Sequence, residues 1–299
     1  MPRRARWKDD LDDWERYLQS EGYPQGTVSS YAEGIHRTYR WGEANEWPPN
    51  PRKLQPKDIY AYYDHVQRYR SKTQLLYMTI LMEFVRYLRC PDVSHMKFRI
   101  KAERGEVFWL ERSEVIHLFR TAPSPRCMAA EVVLAFTGIR EKELRELRIH
   151  SVTDDWLHIT AGKGRKARKI PIDEEFWQML RPYLEWRREY STKWPDSPYF
   201  LVHPENAGFE RGPLVPFAEG GISDMLWRHG MSEGIKHSNS HPWRRFFGRD
   251  LFENDCPVSQ IQRYYGHSSE QQTLDYIGVT QEMDVNAMRK YRRSYLADI

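Results

Sequence analysis

HPWRRFFGRDLFENDCPVSQIQRYYGHSSEQQTLDY, residues 241–276, is the stretch from which the rest of the chain can be read. Trp243, Phe247 and Leu251 recur at i, i+4 and i+8, so one face of a helix is expected to turn inward. On that helix His241 and Arg244, three residues apart, point to one side. A second helix is predicted to begin at Pro257, with Val258 and Ile261 inward. It stops at Gly266, a residue that readily takes the left-handed conformation of a helix end. His267 is then held just past that end, and Tyr276 follows nine residues later. Taken singly, these residues are ordinary: a capping histidine, an exposed arginine, a core-filling tyrosine.

Working back along the chain, two further segments add to the set. In TGIREKEL, residues 137–144, a glycine turn opens a helix whose Leu144 and Leu147 face inward. Arg140 then sits beside free amide groups and the positive end of the helix dipole, where an anion is favoured. Its plain alternative is a surface arginine paired with Glu143 or Glu146. In AGKGRKARKIPI, residues 161–172, a Gly-Lys-Gly turn follows the strand-like Trp156–Thr160 and leads into a second strand at 168–172. Lys163, Arg165, Lys166, Arg168 and Lys169 fall within seven residues there, a concentration of like charge that repels itself unless a phosphate backbone is near.

Nearer the start, Leu11, Trp14, Tyr17 and Leu18 keep a helical period, as do Val28, Tyr31, Ile35 and Tyr39. Ile59, Tyr62, Tyr63 and Val66, then Leu75 through Leu88, make two more amphipathic segments, so the first 95 residues read as a four-helix unit. From His95 to Val107 the helical period gives way to two-residue alternation. Lys97, Arg99 and Lys101 share one face, with Phe98 and Ile100 on the other. Residues 1–107 carry 19 Lys and Arg against 15 Asp and Glu, which accounts for the whole net charge of +4. That excess makes phosphate-rich partners plausible, although on composition alone a solvated helix face over a tyrosine-rich core is the simpler reading. Three cysteines, Cys90, Cys127 and Cys256, lie far apart and in no C-x-x-C spacing, which argues against a disulfide framework or a cysteine zinc site. No apolar run is long enough for a membrane span and no apolar leader follows the basic start, so a cytoplasmic protein is expected.

Arg, Lys, His-x-x-Arg, His and Tyr in that order resemble the tyrosine recombinase (phage integrase) family. TGIREKEL is similar to its first arginine box, AGKGRKARKIPI to its lysine hairpin, and residues 241–276 to its second box. The likeness is close over about 108–280, while YLQSEGYPQGTVSSYAEGI, residues 17–35, resembles the family's core-binding domain more loosely. Trp243 stands in place of the usual leucine, Ile139 of the commoner leucine, and Arg245 where many members have a second histidine. The resemblance implies a mainly α fold with a small antiparallel β-sheet. It implies a helical core-binding domain over 1–95, a basic linker over 96–107 and a catalytic domain over 108–299 with a tail at 281–299.

The resemblance further assigns Arg140, Lys163, His241, Arg244 and His267 to the scissile phosphate and Tyr276 as the nucleophile, with Glu143 as a supporting acid. DNA contacts are expected from Lys97, Arg99, Lys101, Arg165, Lys166 and Arg245. Such a set suits phosphoryl transfer, in which neutralising the charge on the pentacoordinate phosphorus matters more than a strong base. Two guanidinium groups answer that need, and with no carboxylate cluster evident for magnesium, neither metal nor cofactor is expected. The tyrosine hydroxyl needs a proton acceptor, expected in His241. The leaving 5′ oxygen needs a donor, expected in Lys163, with Lys166 and Lys169 close enough in sequence to compete.

By the same resemblance the partner is a double-stranded DNA recombination site, bound by a dimer and exchanged through a Holliday junction in a tetramer. The length fits a Xer-type resolver slightly better than an integrase of a mobile element. A type IB topoisomerase-like nicking-closing enzyme shares the chemistry, and a non-catalytic helical DNA-binding protein is the alternative from another class.

Overall fold

A computed structural model describes residues 6–101, 107–160, 167–278, 288, 289 and 292. The chain divides into two compact units, Met1–Gly105 and Glu106–Ile299. In the first, the helical periods become α1 (Arg6–Ser20), α2 (Gln25–Ala44), α3 (Pro56–Val66) and α4 (Ser71–Tyr87). Their inward faces form an aromatic-rich core in which Trp14, Tyr39 and Phe84 are buried and Trp7 stacks on Tyr39 with ring centroids 4.9 Å apart. A buried polar pair, Thr38 Oγ1 and Tyr62 Oη, is satisfied at 2.8 Å.

The alternation at 96–101 is realised, but the segment belongs to this unit and not to a free linker. Met96 is buried, Phe98 and Ile100 pack on the same core, and Lys97, Arg99 and Lys101 are exposed. It joins no sheet.

The second unit is built around α6 (Pro125–Thr137), preceded by α5 (Arg112–Thr121) and followed by α7 (Glu141–Glu146). Ser124 starts α6 by accepting the Cys127 amide at 3.2 Å, with Pro125 at the first position where its missing N–H costs nothing. Residues from Ala129 to Leu134 are buried on every side, as a central helix requires. The helix stops at Gly138 in the left-handed region, φ +57°, where a Cβ would also lie 2.2 Å from Phe247 Cδ1. Both constraints demand glycine there.

Strands β1 (Trp156–Ile159) and β2 (Arg168–Pro171) pair antiparallel, with Trp156 opposite Pro171 and Ile159 opposite Arg168. Their tip, 161–166, lies outside the described residues, so Lys163, Arg165 and Lys166 have no described position. After α8 (Glu174–Tyr190), a second hairpin that the sequence reading missed joins β3 (Val202–Asn206) to β4 (Arg211–Pro216). Pro204, Pro213 and Pro216 interrupt its alternation and a register shift falls between Pro204 and Asn206, which removes the period-two signal.

Among the described residues there follow α9 (Gly221–Ser232), α10 (Ser240–Glu253), α11 (Val258–Tyr265) and α12 (Glu270–Ile277). Trp243 anchors α10 in the core, fully buried, with its indole N–H donated to the Ser238 carbonyl at 2.9 Å. Of the tail, only residues 288, 289 and 292 are described. No helix among the described residues is long and apolar enough to cross a membrane.

Candidate active site

Arg140, His241, Arg244, His267 and Tyr276, spread over 137 residues of sequence, converge in the second unit. The meeting point is a backbone atom, the Tyr265 carbonyl at the end of α11. It accepts from Arg140 Nη1 at 3.3 Å and from Arg244 Nη2 at 2.9 Å. Arg244 also donates from Nη1 to the Gly138 carbonyl, so two carbonyls, one on each terminal nitrogen, fix its guanidinium. At 2% exposure Arg244 is almost completely enclosed, with the Tyr265 ring 4.3 Å beneath it. Burial, and then the neighbouring charge of Arg140, lower its pKa to about 10, which still leaves it protonated near neutrality.

Arg140 precedes α7, and Glu143 on the first turn of that helix takes its backbone N–H at 2.8 Å and its Nη1 at 3.2 Å. The surface pairing with Glu143 foreseen as the plain alternative therefore forms, but inside the site. The sequence reading gave Arg168 no role. Its terminal nitrogens clamp the same carboxylate at 3.0 and 2.7 Å, and its Nε donates to the Tyr264 carbonyl at 2.6 Å. Burial alone would raise the Glu143 pKa, but hydrogen bonds and charge from Arg168, then from Arg140, bring it down to about 2. Arg168 is thus not a free cation of the hairpin tip. Lys169 is also engaged, with its ammonium 4.0 Å from the Trp156 ring centroid.

Gly266 closes α11 at φ +64°, and the turn swings His267 back toward Arg244. His267 Nε2 lies 3.5 Å from Arg244 Nη2, and Nδ1 meets Thr273 Oγ1 of α12 at 3.0 Å. Burial and then three arginine charges, Arg244 foremost, lower its pKa to about 4, so the imidazole is neutral near pH 7. A phosphate between the arginines would cancel the charge that opposes its protonation. The His267 pKa is therefore expected to rise by at least about one unit when a DNA site binds, read by NMR titration of the ring; no rise would place the phosphate elsewhere. In the free protein, a depressed histidine pKa makes folding less favourable as pH falls from about 6.5 to about 4.

Tyr276 lies on α12, a helix capped by Ser269, whose side chain accepts the Gln272 amide at 3.2 Å. Its hydroxyl is 3.2 Å from His241 Nδ1, and its ring meets those of Tyr265 and His267 edge to face at 5.4 Å each. Burial raises the Tyr276 pKa against the opposing charges of Arg244, Arg245 and Arg140, so the resting group is a neutral phenol. Partial burial, then the charges of Arg245 and Arg244, keep the His241 pKa below its ordinary value. A neutral imidazole beside a neutral phenol is a base ready to take its proton.

Arg245 is engaged within the protein, contrary to the simplest picture of a DNA contact. It donates to the Phe108 carbonyl at 3.0 Å and lies 5.1 Å over the Tyr276 ring. Glu141 holds α7 to the neighbouring helices through Ser223 Oγ at 2.5 Å and Ser240 Oγ at 3.1 Å.

Comparison with known proteins finds relatives of this chain and solved structures of the same fold. The tyrosine recombinase XerA of Thermococcus kodakarensis is 25% identical over 278 residues, covering 91% of each chain. A lambda integrase (75-356) dimer bound to a COC′ core site is 18% identical with a TM-score of 0.68, over 90% of this chain and 94% of that one. A lambda integrase tetramer bound to a Holliday junction has a TM-score of 0.64 at 18% identity, over 92% and 78%. Residues 109–283, which include every side chain gathered around the Tyr265 carbonyl, match the Phage integrase family, and the chain belongs to that family as a Xer-like tyrosine recombinase.

Proposed function

We propose that the chain cuts and rejoins DNA at a specific site through a 3′-phosphotyrosyl intermediate on Tyr276. The observation that carries this reading is the 3.2 Å approach of the Tyr276 hydroxyl to an unprotonated imidazole, beside two guanidinium groups whose only carboxylate ion-pair partner among the described residues is Glu143. A guanidinium has five N–H donors, and the carbonyls fix Arg244 while leaving others for phosphate oxygens. As Tyr276 Oη bonds to phosphorus, its proton passes to His241 and the 5′ oxygen departs. Arg140 and Arg244 bind the non-bridging oxygens, where negative charge builds. His267, tethered through Nδ1 by Thr273, donates to a phosphate oxygen from Nε2 once protonated there. Glu143 is a positioning residue that orients Arg140 and ties it to the hairpin through Arg168. Lys163 is assigned as the proton donor to the 5′ oxygen on its place in the lysine hairpin.

Because the tyrosyl ester conserves the energy of the broken strand, a second 5′ hydroxyl can reverse the attack, and no nucleotide cofactor or catalytic metal enters the scheme. We carry over to this chain a dimer on each site and a tetramer at the junction, and with them the exposed Lys97, Arg99 and Lys101 as phosphate contacts. Action on a replicon in integration, excision or dimer resolution places the chain in the cytoplasm.

The test is strand exchange between two labelled DNA sites in EDTA. Recombinant products and a protease-sensitive covalent adduct at a 3′ end are expected. Nicking and closing without exchanged partners would replace recombination by a topoisomerase reaction.

A further inference from the structure

Away from the site just described, α6 and α9 share a second constellation. Cys127 and Glu131 lie four residues apart on one face of α6, and His229 of α9 faces them; exposures are 0, 0 and 4%. His229 Nδ1 is 2.7 Å from Glu131 Oε1, and Cys127 Sγ is 3.7 Å from that oxygen and 3.8 Å from Nδ1. The other carboxylate oxygen, Glu131 Oε2, is buried with no hydrogen-bond partner. Such an atom carries a desolvation cost that a native core seldom leaves unanswered.

The far side of the imidazole is already arranged. Thr121 donates its hydroxyl proton to the His117 carbonyl at 3.1 Å, so its oxygen must accept from His229 Nε2–H, also at 3.1 Å. That contact fixes the tautomer and leaves Nδ1 directed at Glu131 and Cys127, as an outer-shell oxygen does for a metal-bound histidine.

We propose that Cys127, Glu131 and His229 form a structural zinc site that pins α6 to α9. Sulfur, imidazole nitrogen and carboxylate oxygen are the donors that select this ion, and a carboxylate binding through both oxygens would supply four. With Zn–S of about 2.3 Å and Zn–N and Zn–O of about 2.0 Å, near-tetrahedral angles place sulfur, nitrogen and the nearer carboxylate oxygen roughly 3.3–3.5 Å apart, the second oxygen of the same carboxylate closing a distorted fourth position. The sulfur contacts already lie within a few tenths of an ångström of that, and the imidazole and carboxylate need part by only about half an ångström.

The charge balance also closes. Burial pushes the Cys127 thiol and the Glu131 carboxyl up, so without metal the site holds one proton on sulfur and one between Oε1 and Nδ1. Zinc displaces both to solvent: S–H and the shared N–H or O–H bond break, and Zn–S, Zn–N and Zn–O bonds form. Zn²⁺ with a thiolate, a carboxylate and a neutral imidazole is net neutral, as is the protonated site. A dry core can therefore exchange one for the other without burying net charge. Zinc here is a brace remote from the chemistry, and the proposal stands whether or not the chain recombines DNA.

The experiment refolds the full chain from denaturant and chelator with equimolar Co²⁺ as a spectroscopic stand-in. One Co²⁺ per chain is expected, with a thiolate-to-cobalt charge-transfer band, two protons released per ion and stoichiometric displacement by Zn²⁺. Apparent affinity should fall about 100-fold for each unit of pH removed, the slope of a two-proton exchange. Cys127→Ser should lose the band. A wild-type protein giving no band, or affinity independent of pH, would overturn the proposal. So would a band that survives Cys127→Ser, since Cys90 or Cys256 would then be its source. Should that variant fail to fold, the proton count and pH slope of the wild type still decide.

Discussion

Tyr276→Phe leaves DNA-site binding within about threefold of wild type while covalent adduct and strand exchange fall by roughly 10⁴-fold or more, the scale of losing a nucleophile. The substitution removes one oxygen. The ring keeps its edge contacts with Tyr265 and His267 and its place under Arg245, so α12 has no reason to leave. What is lost is the only hydroxyl within hydrogen-bond reach of the His241 ring among the described residues. A suicide substrate nicked next to the scissile phosphate traps the adduct, and denaturing gels count it against a gel-shift measure of binding. Adduct at wild-type levels in the variant would remove Tyr276 from the mechanism and direct attention to another residue.

Arg244→Lys carries the second large effect, a fall in cleavage of about 10²–10³-fold with charge conserved. Lysine is a point charge with one nitrogen, and one nitrogen cannot hold the Gly138 and Tyr265 carbonyls and still present donors to phosphate. Since Arg244 is nearly fully enclosed, the variant also leaves a carbonyl without its partner, and a thermal melt is needed beside the kinetics. Loss of rate at 25 °C in a protein still folded by circular dichroism isolates the catalytic part. A variant within threefold of wild type would show that charge alone, without the planar fork, suffices.

The parts of this site that the sequence revealed are those whose signal is local. Trp243, Phe247 and Leu251 announced α10, and with it the common side of His241 and Arg244. Gly266 announced the turn that presents His267. The hydrogen-bonding hub was invisible because it is the carbonyl of Tyr265, and a backbone atom leaves no mark in residue identity. Arg168 passed for one of five equivalent cations, because nothing in spacing tells which will fold back 25 residues to Glu143. Cys127 and His229 stand 102 residues apart, and no local spacing joins them. The β3–β4 hairpin escaped because three prolines and a register shift erase alternation in strands that pair through the backbone regardless.

The crowding of two guanidinium groups on one carbonyl oxygen bears on how the pocket would meet an anion. Arg140 and Arg244 are drawn together on that oxygen, and each lies in the other's repulsive field; burial first, and then that repulsion, lower the Arg244 pKa. The fold bears that repulsion in advance, so a phosphodiester anion bound between the two groups would relieve tension as well as make bonds. Part of the grip proposed for this pocket on a DNA backbone would then be the protein's own relaxation.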